Sequence, residues 1–200
     1  MENLWAPKIF TKDGFVKENI LGDKKALDVG CGQKKLPGAI GIDVLKDSKA
    51  DIIHDISRFP WPIGDNSFDL VLANNVIEHM EDVLGVLGEI HRVSKLGARI
   101  IIQVPYFRSP KMFTDPTHKC FFTSFSMDYF VEGTDLSRYK YVPYRFKKID
   151  FWYGYPQKSN NFIKNFVKKI FLHSHSFYDK YLSLIFPVEC LTWELEVIKK

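Results

Sequence analysis

Two glycines and one acidic residue stand beside two short apolar runs early in the chain. The runs Ala26–Val29 and Ala39–Val44 predict buried strands. Gly30 and Gly32 follow the first run, and glycine lets the backbone turn sharply and lets a ligand approach closely. Asp43 lies near the end of the second run, at the sheet edge where open α/β sheets bind ligands. A carboxylate there can accept hydrogen bonds from both hydroxyls of a ribose, so the pattern predicts a nucleotide-type ligand.

The residues around these glycines resemble a known family. Leu27-Asp28-Val29-Gly30-Cys31-Gly32 is similar to the first motif of class I S-adenosylmethionine (SAM)-dependent methyltransferases, and Asp43 takes the place of their ribose-binding acid. The resemblance implies SAM as the cofactor. The residues it implies at the cofactor from this region are Asp28, Gly30, Cys31, Gly32, Asp43 and Val44.

The connection between the two runs departs from the family pattern. Lys34 stands where many relatives carry a third glycine, and only thirteen residues, Gly30 to Ile42, separate Val29 from Asp43. A crossover through a helix takes at least about a dozen residues, so this connection is at the lower limit for one. We therefore predict a shortened, partly helical loop that turns into the second strand at Pro37-Gly38.

Two further segments extend the resemblance. The pair Asp55-Ile56 follows a predicted third strand, Ala50–His54, and the resemblance implies that Asp55 binds the adenine amino group while Ile56 lies against the ring. A turn or helix cap is the alternative role for Asp55. A fourth predicted strand, Ser67–Ala73, leads into Asn74-Asn75 and then Glu78-His79, which resembles the fourth motif region and implies that the two asparagines contact the cofactor.

A polar, turn-prone segment, Asp115-Pro116-Thr117-His118, precedes a strongly aromatic stretch. It resembles an insert in one branch of these enzymes, the methyltransferase type 11-like branch, often found in cell-surface glycan or secondary metabolism. Because the segment follows the predicted fifth strand, Arg99–Val104, we expect it over the carboxyl edge of the sheet, where the methyl acceptor must lie.

The catalytic candidates follow from the chemistry of methyl transfer. Displacement at a sulfonium mainly requires alignment of the reactants, whereas a hydroxyl acceptor also needs a base or a metal to remove its proton. We predict His118 as the base, oriented by Asp115, with His79 as the second candidate. The alternative is that Asp115 and His118 only close the turn. His79, Asp115 and His118 could form a metal-binding set, but their spacing fixes no geometry, so we predict no metal.

Helical and strand patterns alternate along most of the chain. Val83, Leu84, Leu87, Ile90 and Val93 recur at three- and four-residue spacing, which predicts a helix to about Val93, with a stop at Leu96-Gly97-Ala98. Tyr144–Tyr155 and Leu191–Ile198 alternate as strands do. With the resemblance, this predicts an α/β fold: a Rossmann-like, doubly wound, mostly parallel seven-stranded sheet with an antiparallel C-terminal hairpin and helical inserts.

Composition limits the function classes. The chain has 200 residues and is 46% hydrophobic and 26% charged, as expected for one soluble globular domain. A net charge of +4 is too small to indicate nucleic-acid binding. Three separated cysteines predict neither a disulfide framework nor a zinc site and fit a reducing cytoplasm. We find no signal peptide pattern and no apolar run near the about 18 residues of a membrane span.

We predict a single SAM-binding domain over residues 1–200, with an N-terminal arm (1–24), a substrate-side insert (106–140) and a helical insert (158–188). Within the last, 160–172 has an aromatic face opposite lysines, which predicts a basic amphipathic helix. Such a helix can lie on a membrane surface, or it can belong to the core or to a homodimer contact.

The combined reading is a SAM-dependent methyltransferase that acts on a small-molecule or glycan acceptor, at oxygen. An RNA or protein acceptor is the first alternative, although Asn74-Asn75-Val76 lacks the acid-Pro-Pro-aromatic pattern of base-amino methyltransferases. The second is a non-catalytic nucleotide-binding module or a nicotinamide-dependent oxidoreductase. Dinucleotide-binding loops carry a further glycine at a fixed spacing after the first two, and Gly32 is followed by no such glycine, which argues against a dinucleotide ligand.

Overall fold

A seven-stranded sheet organises the protein. The computed structural model describes residues 21–154, 174–185 and 188–199. The strands are β1 (Ala26–Val29), β2 (Ile40–Asp43), β3 (Ile52–Ile53), β4 (Phe68–Asn74), β5 (Ser94–Pro105), β6 (Arg145–Tyr153) and β7 (Cys190–Ile198). Their order in the sheet is β3-β2-β1-β4-β5-β7-β6. Strands β1 to β5 pair in parallel, and β7 pairs antiparallel with both β5 and β6. The predicted mostly parallel sheet with an antiparallel hairpin is confirmed.

The helices are α1 (Val83–Val93), α2 (Pro110–Thr114) and α3 (His175–Phe177). A π-helical turn (Tyr178–Leu182) follows α3, and 3₁₀ turns span Ile77–His79, Ser126–Tyr129 and Leu136–Tyr139. The carboxylate of Asp82 caps α1 by accepting a 2.8 Å hydrogen bond from the Gly85 amide. No helix within the described residues is long and apolar enough to cross a bilayer.

Apolar side chains cover both faces of the sheet. The larger cluster packs Val86, Leu87 and Ile90 of α1 against one face. A smaller cluster on the other face includes Leu36 from the loop after β1 and Leu70 from β4. Burial on both faces is what central parallel strands require, and it holds their carboxyl ends at one edge.

Several predicted boundaries differ from the structure. The inward stripe of α1 uses Val86 instead of Leu84, which is 42% exposed. The helix ends at Val93 as predicted, but Leu96-Gly97-Ala98 is not its stop, because β5 begins at Ser94, which pairs with Phe68 of β4. The strand predicted over Ala50–His54 is only two residues long. Residues 30–39 form turns, so the partly helical loop is wrong, while the predicted turn at Pro37-Gly38 is present.

Two predictions fall largely on residues that the structure does not describe. The N-terminal arm lies outside the described residues up to position 20, and so does the amphipathic helix 160–172. The end of the helical insert is described, and it holds α3 and the π-helical turn.

Candidate active site

The loop after β1 is built on two left-handed glycines. Gly30 has φ +64° and Gly32 has φ +51°, values that side-chain-bearing residues rarely adopt. A Cβ on Gly30 would lie 2.3 Å from Cγ2 of Val76, so this glycine also lets the loops after β1 and β4 come together. A Cβ on Gly32 would meet nothing within 4 Å among the described atoms, so the backbone there borders open space.

Asp43 at the end of β2 ties the second strand to this loop. Its carboxylate accepts hydrogen bonds from the amides of Gly32 (2.8 Å) and Leu45 (2.9 Å). Each carboxylate oxygen has a further lone pair, so the group can still accept hydrogen bonds from a ligand. The neighbouring Val44 side chain is 58% exposed.

Asp28 and Cys31 lie beneath the loop. The Asp28 carboxylate is buried and accepts a 2.7 Å hydrogen bond from the Leu36 amide. Burial raises the pKa of Asp28 to about 6. Burial, with the nearby carboxylates of Asp28 and Asp43, raises the pKa of the Cys31 thiol to about 11. Both side chains face the protein interior, so their contribution to a ligand site is support of the loop.

The residues predicted at the adenine occupy the loop after β3. Oδ1 of Asp55 accepts hydrogen bonds from the amide and hydroxyl of Ser57, and these bonds lower its pKa. This is the turn cap that was the alternative role for Asp55. Its side chain remains 39% exposed. The Ile56 side chain is buried in the core beside Trp61, whose indole donates to the Ile56 carbonyl.

The two asparagines end β4 in different environments. Oδ1 of Asn74 accepts a 2.6 Å hydrogen bond from Gln103 of β5. Asn75 is exposed, has φ +51° and lines a cavity of about 330 Å³. The cavity lies at the carboxyl ends of β4 and β5, between the turn after β4, the insert and the start of β7. Its lining residues are Asn75, Glu78, His79, Pro105, Lys111, Asp115, His118, Glu189 and Cys190.

His79, Asp115 and His118 meet at this cavity, but the hydrogen bonds give His118 a different partner from the predicted one. Nδ1 of His118 donates to the Met112 carbonyl at 2.8 Å. Asp115 instead accepts hydrogen bonds from the Thr117 amide (2.9 Å) and hydroxyl (2.7 Å), which lower its pKa. Asp115 therefore closes the turn, and the prediction that it orients His118 is wrong. The Met112 carbonyl, in the middle of α2, accepts this hydrogen bond because the insert folds back on itself.

Glu78 is the unexpected member of the cavity. Its side chain is 0% exposed, and within the described residues neither carboxylate oxygen accepts a hydrogen bond. Burial raises its pKa to about 8. Oε1 lies 3.9 Å from Nε2 of His118. Burial, and the neighbouring His118, lower the pKa of His79, whose ring centroid is 4.7 Å from that of His118.

Part of the chain matches a known protein family. A family model described as a methyltransferase domain matches residues 27–102, which span β1 to β5 and include the glycine loop and Glu78-His79. Residues 27–102 therefore form a methyltransferase domain similar to those of the class I SAM-dependent methyltransferases. The protein is a methyltransferase, and the cofactor of this domain is SAM.

Solved structures share the fold of this methyltransferase at low sequence identity. A SAM-dependent methyltransferase from Archaeoglobus fulgidus is 16% identical, with a TM-score of 0.54 over 88% of this chain and 86% of that one. The [4+2]-cyclase SpnF is 18% identical, with a TM-score of 0.54 over 90% and 77%. A chain in the complex between the Haloferax volcanii Trm112 methyltransferase activator and a methyltransferase is 13% identical to this one. Its TM-score is 0.54, over 88% of this chain and 83% of that chain. No curated protein sequence matches the chain.

The first loop of the methyltransferase fits SAM. The open space at Gly32 leaves room for close approach to the backbone, and Asp43 beside it retains acceptor capacity. Because β1 and β2 are parallel neighbours, both groups lie at the same sheet edge as the cavity. The residues present are thus compatible with the cofactor that the family implies.

Sequence reasoning missed part of the cavity. Glu78 lies in the segment that resembles the fourth motif region, and its position next to His79 is the sequence signal that could have predicted it in the cavity. Lys111 and Glu189, which form a 2.7 Å ion pair, come from α2 and from the approach to β7. No local pattern marks either residue, because only the antiparallel pairing of β7 with β5 brings Glu189 to the cavity.

Proposed function

We propose that this methyltransferase methylates a hydroxyl group of a small-molecule or glycan acceptor that binds in the cavity at the carboxyl ends of β4 and β5. The main support for this proposal is that Glu78, His79 and His118 bring a carboxylate and two imidazoles to one place in that cavity. A hydroxyl is a poor nucleophile until its proton is removed, so proton-accepting groups are what an oxygen methyltransferase needs there.

The loop after β1 and the end of β2 are our proposed cofactor site. Gly30 and Gly32 would let the cofactor approach the backbone, and Asp43 would accept hydrogen bonds from its ribose. We assign the adenine to the loop that contains Asp55 and Ile56. We place Asn75, which is exposed and borders the cavity, between the cofactor and the acceptor.

SAM, when bound, supplies an electrophilic methyl group on a sulfonium. Catalysis by the protein is then mainly positioning of the acceptor oxygen in line with that group. Nε2 of His118 is the nitrogen left free by the hydrogen bond from Nδ1 to Met112, so we assign it the acceptor proton. A cavity of about 330 Å³ suits one sugar ring or a similar small molecule. The Lys111–Glu189 ion pair offers both a donor and an acceptor to such a ligand.

Calorimetry and product analysis test the proposal. We expect binding of SAM and no binding of NAD, and a panel of sugars and phenols with labelled SAM should give a methylated product for at least one hydroxyl compound. His118→Gln should then lower turnover by about 10²- to 10⁴-fold with little change in SAM affinity. Methylation of RNA or protein but of no small hydroxyl compound would contradict the acceptor assignment.

We also propose that the described residues belong to one domain that works in a reducing compartment such as the cytoplasm. One continuous sheet with apolar clusters on both faces supports the single domain. Within the described residues, Cys31, Cys120 and Cys190 form no disulfide, which supports the reducing compartment.

A further inference from the structure

We propose that Glu78, His79 and His118 bind one divalent first-row transition-metal ion, such as Zn²⁺, in the acceptor cavity. Its role in methyl transfer rests on the function proposed above, with the ion in place of Nε2 of His118 as the group that activates the acceptor hydroxyl. The binding of the ion does not rest on that function. One side-chain ligand atom from each of the three residues lies within 4.8 Å of the other two. Three protein ligands leave coordination positions for water or for an acceptor hydroxyl.

Hydrogen bonds outside the cluster assign the proton of the His118 ring. Nδ1 lies 2.8 Å from the Met112 carbonyl, which can only accept, so Nδ1 carries the hydrogen. In the neutral ring, Nε2 then has its lone pair free, and it is the nitrogen that faces Glu78. A carbonyl on the far nitrogen is the usual support of a metal-binding histidine.

Thr117 assigns the proton of the His79 ring in the same way. Its single hydroxyl hydrogen goes to the Asp115 carboxylate, an acceptor only, at 2.7 Å. Oγ1 of Thr117 must then accept from Nδ1 of His79, which lies 2.8 Å away. In the neutral ring, Nε2 of His79 then has its lone pair free as well. Asp115 and Thr117 thus position His79, although neither belongs to the ligand set.

The third ligand is a buried carboxylate that has no donor. Both oxygens of Glu78 are without a hydrogen-bond partner in the part of the chain that the structure describes. Oε1 faces Nε2 of His118 at 3.9 Å. In the neutral ring these are two acceptors, which cannot satisfy each other, but two ligand atoms about 2.1 Å from a shared ion can be up to about 4.2 Å apart. The Glu78–His118 pair fits that limit, and the separation of up to 4.8 Å within the set would shorten slightly when an ion binds. A cation between them would satisfy both.

The donor set indicates the class of ion. Two imidazoles with one carboxylate suit zinc, iron, manganese or cobalt, whereas magnesium and calcium prefer oxygen ligands. A hydroxyl bound to such an ion has a lowered pKa. The O–H bond would then break with the proton released to solvent, and the oxygen would keep the electron pair with which it forms the bond to the methyl carbon. The methyl carbon–sulfur bond of SAM would break at the same time, and its electron pair would stay on the departing thioether sulfur.

Co²⁺ binding to the chelator-treated protein tests the site directly. We expect one Co²⁺ per chain, visible as an absorption band, displaced by Zn²⁺ and unaffected by Mg²⁺. Glu78→Gln keeps the shape of the side chain and should abolish the band. Thr117→Val removes only the acceptor for His79 and should weaken Co²⁺ binding by about 10- to 100-fold, as loss of an outer-shell partner does.

A histidine outside the cavity supplies the control. His91 on α1 bonds to the Ile198 carbonyl, so His91→Gln should leave Co²⁺ binding unchanged. SAM affinity of each variant, measured by calorimetry, shows that the fold is retained. If the unmodified protein binds SAM but no Co²⁺, or if Glu78→Gln binds Co²⁺ as well as the unmodified protein does, the metal site is overturned. Those results leave the methyltransferase assignment intact, whereas failure of SAM binding would contradict the proposed cofactor site without touching the metal result.

Discussion

Nε2 of His118 lies 3.9 Å from Oε1 of Glu78, although the two residues come from different parts of the fold. Glu78 belongs to the 3₁₀ turn after β4, and His118 belongs to the insert after β5. The amides of Lys119 and Cys120 both donate to the Glu78 carbonyl, at 2.8 and 3.0 Å. The backbone of the insert is thereby fastened to this turn, which places the imidazole opposite the carboxylate.

Glu78→Gln should stabilise the protein when a chelator is present. The carboxylate is buried and, within the described residues, accepts no hydrogen bond, whereas a neutral amide of the same shape can donate to Nε2 of His118. We expect a gain of about 1–3 kcal/mol in the free energy of unfolding, measured by urea denaturation. Glu81→Gln is the control, because Glu81 is exposed and should change little. A large loss of stability in Glu78→Gln would show that the carboxylate has a structural partner.

Asp43→Asn should weaken SAM binding. The substitution keeps the side-chain size but removes the charge that would accept hydrogen bonds from the ribose, and a hydrogen bond to a charged group contributes about 1.5–3 kcal/mol. Calorimetry with SAM should therefore show roughly a 10- to 100-fold loss of affinity. Asp47 is exposed in the loop that follows β2, so the control variant Asp47→Asn should bind SAM normally. Equal affinities for the two variants would remove the ribose assignment.

Gly30→Ala should destabilise the fold more than Gly97→Ala does. Both glycines have positive φ, so each alanine incurs backbone strain of about 1–2 kcal/mol. Only at Gly30 would the new methyl group collide, at 2.3 Å from Cγ2 and 2.7 Å from Cβ of Val76. Denaturation midpoints should rank the variants. Adding Val76→Ala to Gly30→Ala should recover part of the lost stability. If Gly30→Ala lost no more stability than Gly97→Ala, the loop would be able to move away from Val76, and the collision would not matter.

Asp28 should make the protein less stable as pH rises from about 4 to about 6. Its pKa is raised from 3.8 to about 6 in the folded state, so in this window the folded protein holds a proton that the unfolded chain has released. The free energy of unfolding then falls with pH, by up to about 3 kcal/mol, and stays lower above pH 6. Lys35 and Asp43 are the charged groups that act on Asp28.

Asp28→Asn should remove that slope, because an amide can keep the hydrogen bond from Leu36 without titrating. Urea denaturation between pH 4 and pH 8 measures it. Asp69→Asn is a control with the opposite pH dependence. The hydrogen bond from Lys95 lowers the pKa of Asp69, so the stability that Asp69 contributes is present at neutral pH and is lost as pH falls. The same slope in Asp28→Asn and the unmodified protein would show that Asp28 does not titrate in this range.

Local patterns in the sequence determined the sheet and the glycine loop after β1. The run Ala26–Val29 is β1 with the predicted bounds, because four buried apolar or small residues followed by glycine form a strand and turn wherever the rest of the chain lies. The alternation of strand and helix signals likewise predicted the parallel order, since each signal depends on neighbours in the sequence. Leu84 shows the limit: spacing alone could not tell which side of α1 the sheet would cover.

Only the tertiary structure decided which residues line the cavity at the carboxyl ends of β4 and β5. Asp115 is two residues from Thr117 and is taken up by that local turn, so the carboxylate nearest in sequence to His118 is not the one that faces its Nε2. Glu78 fills that place because the insert folds back onto the turn after β4, and Glu189 arrives because β7 runs antiparallel to β5. Contacts between segments so far apart depend on packing and strand pairing, which leave no periodic signal in the residues that make them.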